Sequence, residues 1–474
     1  MKKFLLLAGV GIVAFAALLF YRTTIQEREL VILSTNDIHA HLKNFPRLAT
    51  AVAECRDTVD CILVDAGDRW TGNSYVDLAE GRLPIIDLMN EVGYDIVTLG
   101  NHEFDMGPAL LQGAIDHSQF ATICSNMVSN HPELTTLPAH KVITTRSGID
   151  VSFVGVVTNY DNGHPDGDNR RFEGLVFSDP VTAARKAAEE SPASNVRVLL
   201  SHIADDKDMA FAADGAPFDL IVSGHSHHVV DTLICNTVIG QTGKNMPYLG
   251  ATRIRLKGRK IVDIDYENID LKGYAEDCNI ARHVQKIEDN PYLNETIGTI
   301  STFTNRVGFA NLETQILKEA AKADVALYHC GGIRITHFEP GMVTRARLYD
   351  LEPFASQVVV RNMTLAQLQA LVKEKFNDKG NTKESHRVDI FCTAPYDIVV
   401  GADGEAVAVR FPTLRAGKSY RVAMPDYISR KYPTLKDSEG EYTDMLVLDC
   451  ITEYVEKHSP IKTCNTPRQR IVKR

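Results

Sequence analysis

The 474-residue sequence has few cysteines, no excess of positive charge and only one long apolar run. Nine cysteines over this length are too sparse for a disulfide scaffold, and none forms a Cys-x-x-Cys pair, which argues against a thiolate zinc site. Lys and Arg number 51 against 61 Asp and Glu, a net charge of −10, whereas a general binder of nucleic acid normally shows a basic surplus. Small phosphorylated ligands are not excluded, because a metal site can supply local positive charge. No internal repeat and no low-complexity tract is present. What is there is an ordinary globular composition, 44% hydrophobic and 24% charged, which excludes wholesale disorder. At roughly 150 residues per domain, the length suits about three units or two large ones.

The apolar run is N-terminal. Lys2 and Lys3 precede an uncharged stretch from Phe4 to Tyr21 that ends at Arg22. A basic segment followed by an apolar one is an export signal. The stretch matches the shortest spanning helices and exceeds a usual signal core. Ala14-Phe15-Ala16 lies inside it, so no clean cleavage site follows; the absence of cysteine there excludes a bacterial lipoprotein anchor. Three readings stand for residues 1–24: an uncleaved signal anchor that tethers the chain to the inner membrane, a cleaved signal peptide, or a buried helix. The lysines favour a body outside the cytoplasm, in the periplasm or cell envelope. Such a compartment permits disulfides. Cys55 and Cys61 flank a short segment and form one candidate pair; Cys450 and Cys464 form another. The total is odd, so not all nine pair within the chain.

From Leu30 to about Ile269, apolar runs alternate with amphipathic stretches, a layered α/β pattern. The runs are Leu30–Ser34, Ile62–Val64, Ile96–Leu99, Val151–Val157, Val196–Leu200 and Leu220–Ser223. Helices are expected at Phe45–Glu54, Leu83–Glu91, Pro108–His117 and Val181–Glu190. Thr252–Leu256 and Ile261–Tyr266 read as a hairpin. Residues 272–296 are polar and partly helical and read as a linker between a first domain, 28–271, and a second, 297–474. In the second, helices are expected at Asn311–Ala321 and Leu365–Phe376, and strands at Val388–Phe391, Ile398–Val400, Ala406–Arg410 and Tyr420–Ala423.

Ligand-type residues follow five of the strands. They are Asn36-Asp37-Ile38-His39, Asp65-Ala66-Gly67-Asp68, Gly100-Asn101-His102-Glu103-Phe104-Asp105, Ser201-His202 and Gly224-His225-Ser226-His227-His228. In an open α/β sheet, ligands bind beyond the carboxyl ends of strands, so these segments should converge on one crevice. Carboxylate, amide oxygen and imidazole without thiolate suit Mn, Zn, Fe or Co. Each string alone reads more simply as a turn or a satisfied core-edge histidine; the weight lies in all five occurring in order at strand ends.

Asp37-x-His39, Gly67-Asp68, Gly100-Asn101-His102-Glu103, His202 and Gly224-His225-x-His227 resemble the calcineurin-like metallophosphoesterases. The longer strings Thr35-Asn36-Asp37-Ile38-His39 and Gly100-Asn101-His102-Glu103-Phe104-Asp105 resemble the secreted 5'-nucleotidase family. The resemblance implies a four-layer α-β-β-α metallophosphoesterase domain followed by a smaller α/β substrate-binding domain. It implies two divalent ions, one on Asp37, His39 and His227, the other on Asn101, His202 and His225, with Asp68 bridging. Two such ions lower the pKa of a shared water, making a nucleophile for in-line attack on phosphorus. His102 would stabilise the phosphoryl group or protonate the leaving group, with Asp105 fixing its tautomer. His41 and His228 read as neighbours rather than ligands.

The second domain departs from the family pattern. Cys330-Gly331-Gly332-Ile333-Arg334 resembles its Gly-Gly-Ile-Arg segment, where Gly332 lets backbone approach the ligand and Arg334 meets an anionic group. His329 stands where the family has asparagine. Pro353-Phe354-Ala355-Ser356 keeps the base-stacking phenylalanine but puts Ser356 where an asparagine bonds the base. Tyr427 holds the place of the second aromatic, followed by Ser429-Arg430-Lys431 in place of a Gly-rich, aspartate-bearing loop. The expected activity is therefore hydrolysis of a nucleoside 5'-monophosphate to nucleoside and phosphate. Alternatives with the same metal site are nucleotide-sugar, cyclic-nucleotide or non-nucleotide phosphoester hydrolysis; a non-catalytic secreted binding protein is a further one. No polymeric nucleic acid is expected as a partner. A rotation of the two domains about the linker is implied by the same resemblance.

Overall fold

A computed structural model describes residues 25–160, 163–378, 387–436 and 439–473. The apolar N-terminal segment expected to act in export lies outside the described residues. The described residues form two compact units: one from residues 25–71 with those of Leu78–Glu288, the other from Gly72–Asp77 with those from Asp289 onward. The helix Cys278–Glu288 belongs to the first unit and packs against the helix Phe45–Thr58.

In the first unit, β1 (Glu27–Thr35) leads through α1 (Phe45–Thr58) to β2 (Asp60–Asp65), and β3 (Ile96–Val97) and β4 (Ala121–Thr122) follow in parallel. The antiparallel hairpin Tyr248–Lys257/Lys260–Asp270 adds to the other edge of β1, giving one six-stranded sheet. Lys257 pairs with Lys260 across the expected turn, and Gly258 takes the left-handed φ of +61° that this turn requires. A second six-stranded sheet runs in the order 229–234, 237–242, 220–223, 196–202, 150–157 and 140–144.

Period-two alternation explains how the sheets stack. Val151, Phe153, Val196, Val198, Leu200, Leu220 and Val222 join Leu30, Ile32, Ile62, Val64 and Ile96 in one core between the sheets. The intervening residues Val154, Val156, Leu199 and Ile221 point the other way. They bury against Ala184, Ala187 and Ala188 of the helix Pro180–Glu190 and Phe211 and Ala212 of the helix Asp205–Ala213. α1 covers the outer face of β2, and the helices Leu83–Val92 and Pro108–His117 continue that layer. The result is the α-β-β-α sandwich.

Some expectations needed correction. Only Ile96–Val97 of the expected 96–99 strand is laddered; Thr98–Gly100 continue as a buried loop. The expected helix 311–321 spans Arg306–Ala320, because the Asn305 side chain caps it by accepting from Gly308 N–H at 3.0 Å. The strand expected at 388–391 is Ile390–Cys392. The hairpin 229–234/237–242 turns on Cys235 and Asn236, both at positive φ, with no Asn-Gly or Asp-Gly to announce it. All nine cysteines are free thiols, so neither candidate pair is joined.

The second unit has a five-stranded sheet in the order 390–392, 325–329, 419–425, 357–364 and 441–446, and a three-stranded sheet of 406–410, 396–400 and 469–473. Ala326 and Tyr328 face a core built with the helices Arg306–Ala320 and Val447–His458; Val325 and Leu327 face one built with the helix Leu365–Phe376.

Candidate metal centre

The carboxyl ends of β1, β2, β3 and two strands of the facing sheet deliver the five ligand strings to one place. Two groups of side chains there can each hold a cation: Asp37, His39, Asp68 and His227, and Asp68, His202 and His225. Their ligand atoms lie within 4.8 Å of one another in each group, and Asp68 belongs to both. His39 Nε2 lies 3.0 Å from His227 Nε2, and His227 Nε2 is 3.3 Å from Asp37 Oδ1. His202 Nε2, buried and without an aligned hydrogen-bond partner, faces Asp68 Oδ2 at 3.2 Å. Asn101 Oδ1 is 3.0 Å from His225 Nδ1, which puts the amide beside the second group.

The outer ring nitrogens of two of these imidazoles, His202 and His39, face backbone carbonyls. His202 Nδ1 lies 2.7 Å from the Ala66 carbonyl and His39 Nδ1 lies 3.2 Å from that of Thr71. A carbonyl at Nδ1 keeps the proton there and presents the Nε2 lone pair inward, the arrangement a metal-binding imidazole needs. Convergent lone pairs and a buried, unaligned nitrogen fit divalent cations.

Asp37, His39, Asp68, His225 and His227 all have φ between +48° and +75°. A non-glycine residue in that region costs about 1 kcal/mol or more, and such strain persists only where the surroundings over-determine it. Here they do. Asp37 N–H and His39 N–H donate to the Gly67 and Asp68 carbonyls at 3.0 and 2.9 Å. Asn36 Nδ2 donates to Asp37 Oδ2 at 2.7 Å, and His225 N–H donates to the same oxygen at 3.0 Å. Gly67 and Gly100 are obligatory: a Cβ on Gly67 would lie 2.4 Å from Gly100 N, and one on Gly100 would lie 2.2 Å from Asp68 Oδ1.

Glu103, quoted in the sequence string but given no role there, organises this contact. Its buried carboxylate accepts from the N–H groups of Asp68, Arg69 and Gly100 at 2.9, 2.8 and 2.5 Å. The available signal was an acid three residues after a glycine, a spacing that lets a carboxylate fold back onto its own turn.

Electrostatics follow from burial. Burial opposes ionisation of Asp37, yet His227 and His202 hold its pKa well below the carboxylate range. Asp68 is likewise lowered, against burial, by His202, His102 and His39. Burial would lower His202, but Asp68 lifts it to about 10; burial and the charge of His202 push His225 down to about 4.

His102 stands at the rim, its ring centroid 5.2 Å from that of His39, with Nδ1 2.8 Å from Asp105 Oδ2. His41 and His228 enter neither group; His228 is exposed and faces Asp205 at 3.0 Å. Asp166, which the sequence did not flag, approaches His225 Nε2 at 3.8 Å.

The other candidates lie in the second unit. The Arg334 guanidinium sits 5.7 Å from the Phe354 ring centroid. Tyr427 stacks on His329 at 4.5 Å and 21°, and Lys431 Nζ lies 5.2 Å from its centroid. Ser356 donates to buried Glu352 at 2.6 Å. Gly332 is held close against His329, whose Cε1 would lie 2.7 Å from an added Cβ.

Carboxylate and imidazole groups at the strand ends of an α-β-β-α sandwich define a metallophosphoesterase, a class of metal-dependent phosphoester hydrolases. Residues 30–229 match the calcineurin-like phosphoesterase family, and residues 296–437 match the 5'-nucleotidase C-terminal domain. The chain belongs to the calcineurin-like phosphoesterases that carry a 5'-nucleotidase C-terminal domain. It is similar to the 5'-nucleotidase of Rattus norvegicus, at 28% identity over 94% of this chain and 91% of that one. It is also similar to the trifunctional nucleotide phosphoesterase protein YfkN of Bacillus subtilis, at 26% identity over 74% of this chain but 28% of YfkN. The chain spans 28% to 37% of the length of three of the curated relatives it matches. The fold matches the crystal structure of a 5'-nucleotidase precursor from Thermus thermophilus, with a TM-score of 0.83 and 19% identity over 94% of this chain and 99% of that one.

Proposed function

We propose that the protein removes phosphate from nucleoside 5'-monophosphates with two divalent cations at the centre just described. The observation that carries this reading is Asp68: one buried carboxylate common to two groups of cation ligands. Asp37, His39, Asp68 and His227 would hold one cation, and Asp68, Asn101, His202 and His225 the other, each Mn, Zn, Co or Fe. When bound, two such cations lower the pKa of a shared water and offset charge on the phosphoryl oxygens.

The chain's own residues do the rest. Glu103, Gly67 and Gly100 keep the carboxylate of Asp68 fixed between the two groups. The Asp105 carboxylate accepts from Nδ1–H of His102, which makes Nε2 the atom that meets a phosphoryl oxygen or supplies a proton to the leaving oxygen. Arg334, with a permanently charged fork, is suited to an anionic part of the substrate, and Gly332 to close backbone approach. Phe354, Tyr427 and Ser356 would select the leaving group.

A second reading has a specific support. Tyr427 is stacked by His329, and Ser356 is tied to Glu352, so the surfaces expected to meet a base are engaged with neighbours. A nucleotide-sugar, cyclic nucleotide or non-nucleotide phosphoester then replaces the nucleoside monophosphate, with the same metal chemistry. The basic and apolar N-terminal segment supports export to the periplasm or cell envelope, either released or tethered. Among the described residues no helix is long and apolar enough to cross a membrane.

Phosphate release from a panel of nucleotides, nucleotide-sugars and simple phosphoesters, with Mn²⁺ added, tests the choice. The first reading expects AMP to exceed a generic ester by at least about tenfold in kcat/KM, about 1.4 kcal/mol of selectivity. Equal turnover of the two overturns it.

A further inference from the structure

The strands Val196–His202 and Leu220–Ser223 run side by side, with Ser201 opposite Ser223. Alternation sorts their last residues onto two faces. Val198 and Leu200 face the other sheet, and His202 continues their column into the metal centre. Leu199 and Ile221 face the helix Asp205–Ala213, and Ser201 and Ser223 continue that column. There the packing turns from apolar to polar. Both serines are buried and donate their hydroxyls to buried Asp208 of the helix, Ser201 to Oδ1 and Ser223 to Oδ2, each at 2.6 Å. With its proton spent, Ser223 Oγ accepts from Nε2 of buried Gln241 at 3.0 Å. Gln241 also reaches the loop beyond Ser223. Both of its amide atoms lie 2.9 Å from Ser226 Oγ, and Oε1 accepts from His228 N–H at 3.0 Å.

We propose, resting on the reading that the centre holds two cations, that Asp208 and Gln241 are positioning residues for its ligands: Asp208 locks together the strand ends that lead into His202 and His225, and Gln241 locks the loop that carries His225 and His227.

The two clamps bear on different cations. Ser201 directly precedes His202, and Ser223 stands two residues before His225. Both imidazoles belong to the group that would hold the second cation, so Asp208 bears on that cation alone. Ser226 lies between His225 and His227, and His228 follows. Those two imidazoles belong one to each group, so Gln241 bears on both cations. Asp208 itself enters neither group and acts only through its neighbours. Apolar side chains suffice to join helix to sheet, as Leu199, Ile221, Phe211 and Ala212 do in the same layer. A carboxylate adds direction. Its two oxygens, each taking one serine proton, admit one arrangement of the two strand ends, and a fully satisfied buried network specifies a single geometry. Groups that orient metal ligands from behind set affinity in this way.

The full chain is stripped with a chelator and titrated with Mn²⁺, and the free ion is read from its paramagnetic resonance signal, which needs no turnover. Wild type should bind two ions. Asp208→Leu, similar in shape but without an acceptor, should weaken one ion by about 10–100-fold, the range for a lost supporting group, and leave the other unchanged. Asp208→Asn keeps an acceptor oxygen and should recover most of that loss. Gln241→Met should weaken both ions. Wild-type affinity for both ions in folded Asp208→Leu, equal weakening of the two, or no recovery in Asp208→Asn would overturn the role of Asp208. Fewer than two weakened ions in Gln241→Met would overturn that of Gln241. Fewer than two ions in wild type is a separate failure, that of the two-cation reading itself. Ser201→Ala, a smaller change, repeats the test where Asp208→Leu does not accumulate: one ion weakened supports the clamp, and wild-type affinity for both contradicts it.

Discussion

His102 Nδ1 lies 2.8 Å from Asp105 Oδ2, and that same oxygen accepts from the Thr71 hydroxyl at 2.5 Å. The imidazole is thereby fixed in orientation by a carboxylate that is itself fixed, three residues along a short 3₁₀ turn.

If His102 works on the phosphoryl group through Nε2, Asp105 acts through it as a positioning residue. His102→Ala should lower kcat by about 10²–10⁴-fold, the range for a removed general acid or base. Asp105→Asn should lower it by about 10–100-fold. In both, metal content measured by elemental analysis should match wild type. Loss of metal in either variant would move these residues from the chemistry to the scaffold.

Asp68 carries a different prediction, because it belongs to both ligand groups. Asp68→Ala should reduce bound metal as well as phosphate release, whereas His227→Ala touches one group only and should retain more metal. The same elemental analysis reads both. Equal metal in wild type and Asp68→Ala would contradict the shared-ligand arrangement.

Glu103 tests the scaffold. Its carboxylate satisfies three buried N–H groups, so Glu103→Ala leaves three donors without an acceptor. At about 1–3 kcal/mol for each unsatisfied group, stability measured by urea unfolding should fall by several kcal/mol, or the protein should fail to accumulate. Glu103→Gln, which keeps one acceptor oxygen, should lose less. An unchanged unfolding midpoint in the alanine variant would contradict this role.

Glu352 makes stability depend on pH. Burial raises its pKa from an ordinary 4.5 to about 7, with hydrogen bonds from Ser356 acting the other way. Below pH 4.5 the carboxyl is protonated in both folded and unfolded chains, and its contribution to stability is fully present. As pH rises to 7 the unfolded chain ionises and the folded one resists, so that contribution, about 3 kcal/mol, is lost. Glu352→Gln should flatten the fall in unfolding free energy between pH 4.5 and 7. A slope identical to wild type would contradict the buried, protonated carboxyl.

Much of this was legible in the sequence for a physical reason. Ligand strings at strand ends are read from a period-two apolar run followed by polar punctuation, and Leu220–Ser223, Pro108–His117 and Leu365–Phe376 matched the structure residue for residue. The connector was read as helical, but the packing of Cys278–Glu288 against α1 is a tertiary contact that local pattern does not encode. The hairpin at Cys235-Asn236 carried no glycine to mark its turn. The role of Glu103 was hidden because an acid near a glycine resembles any capped turn until the backbone of Asp68 is brought to it from another strand. The stacking of His329 on Tyr427 joins residues from two strand ends far apart in sequence, and nothing in either string announces it.

The most direct measurement of the central claim is phosphate release from AMP by the full chain, first stripped of metal with a chelator and then titrated with Mn²⁺. The account predicts no turnover in the stripped protein and recovery that saturates near two ions per chain. Turnover that survives chelation, or that never returns at any Mn²⁺ concentration while the protein remains folded, would contradict it.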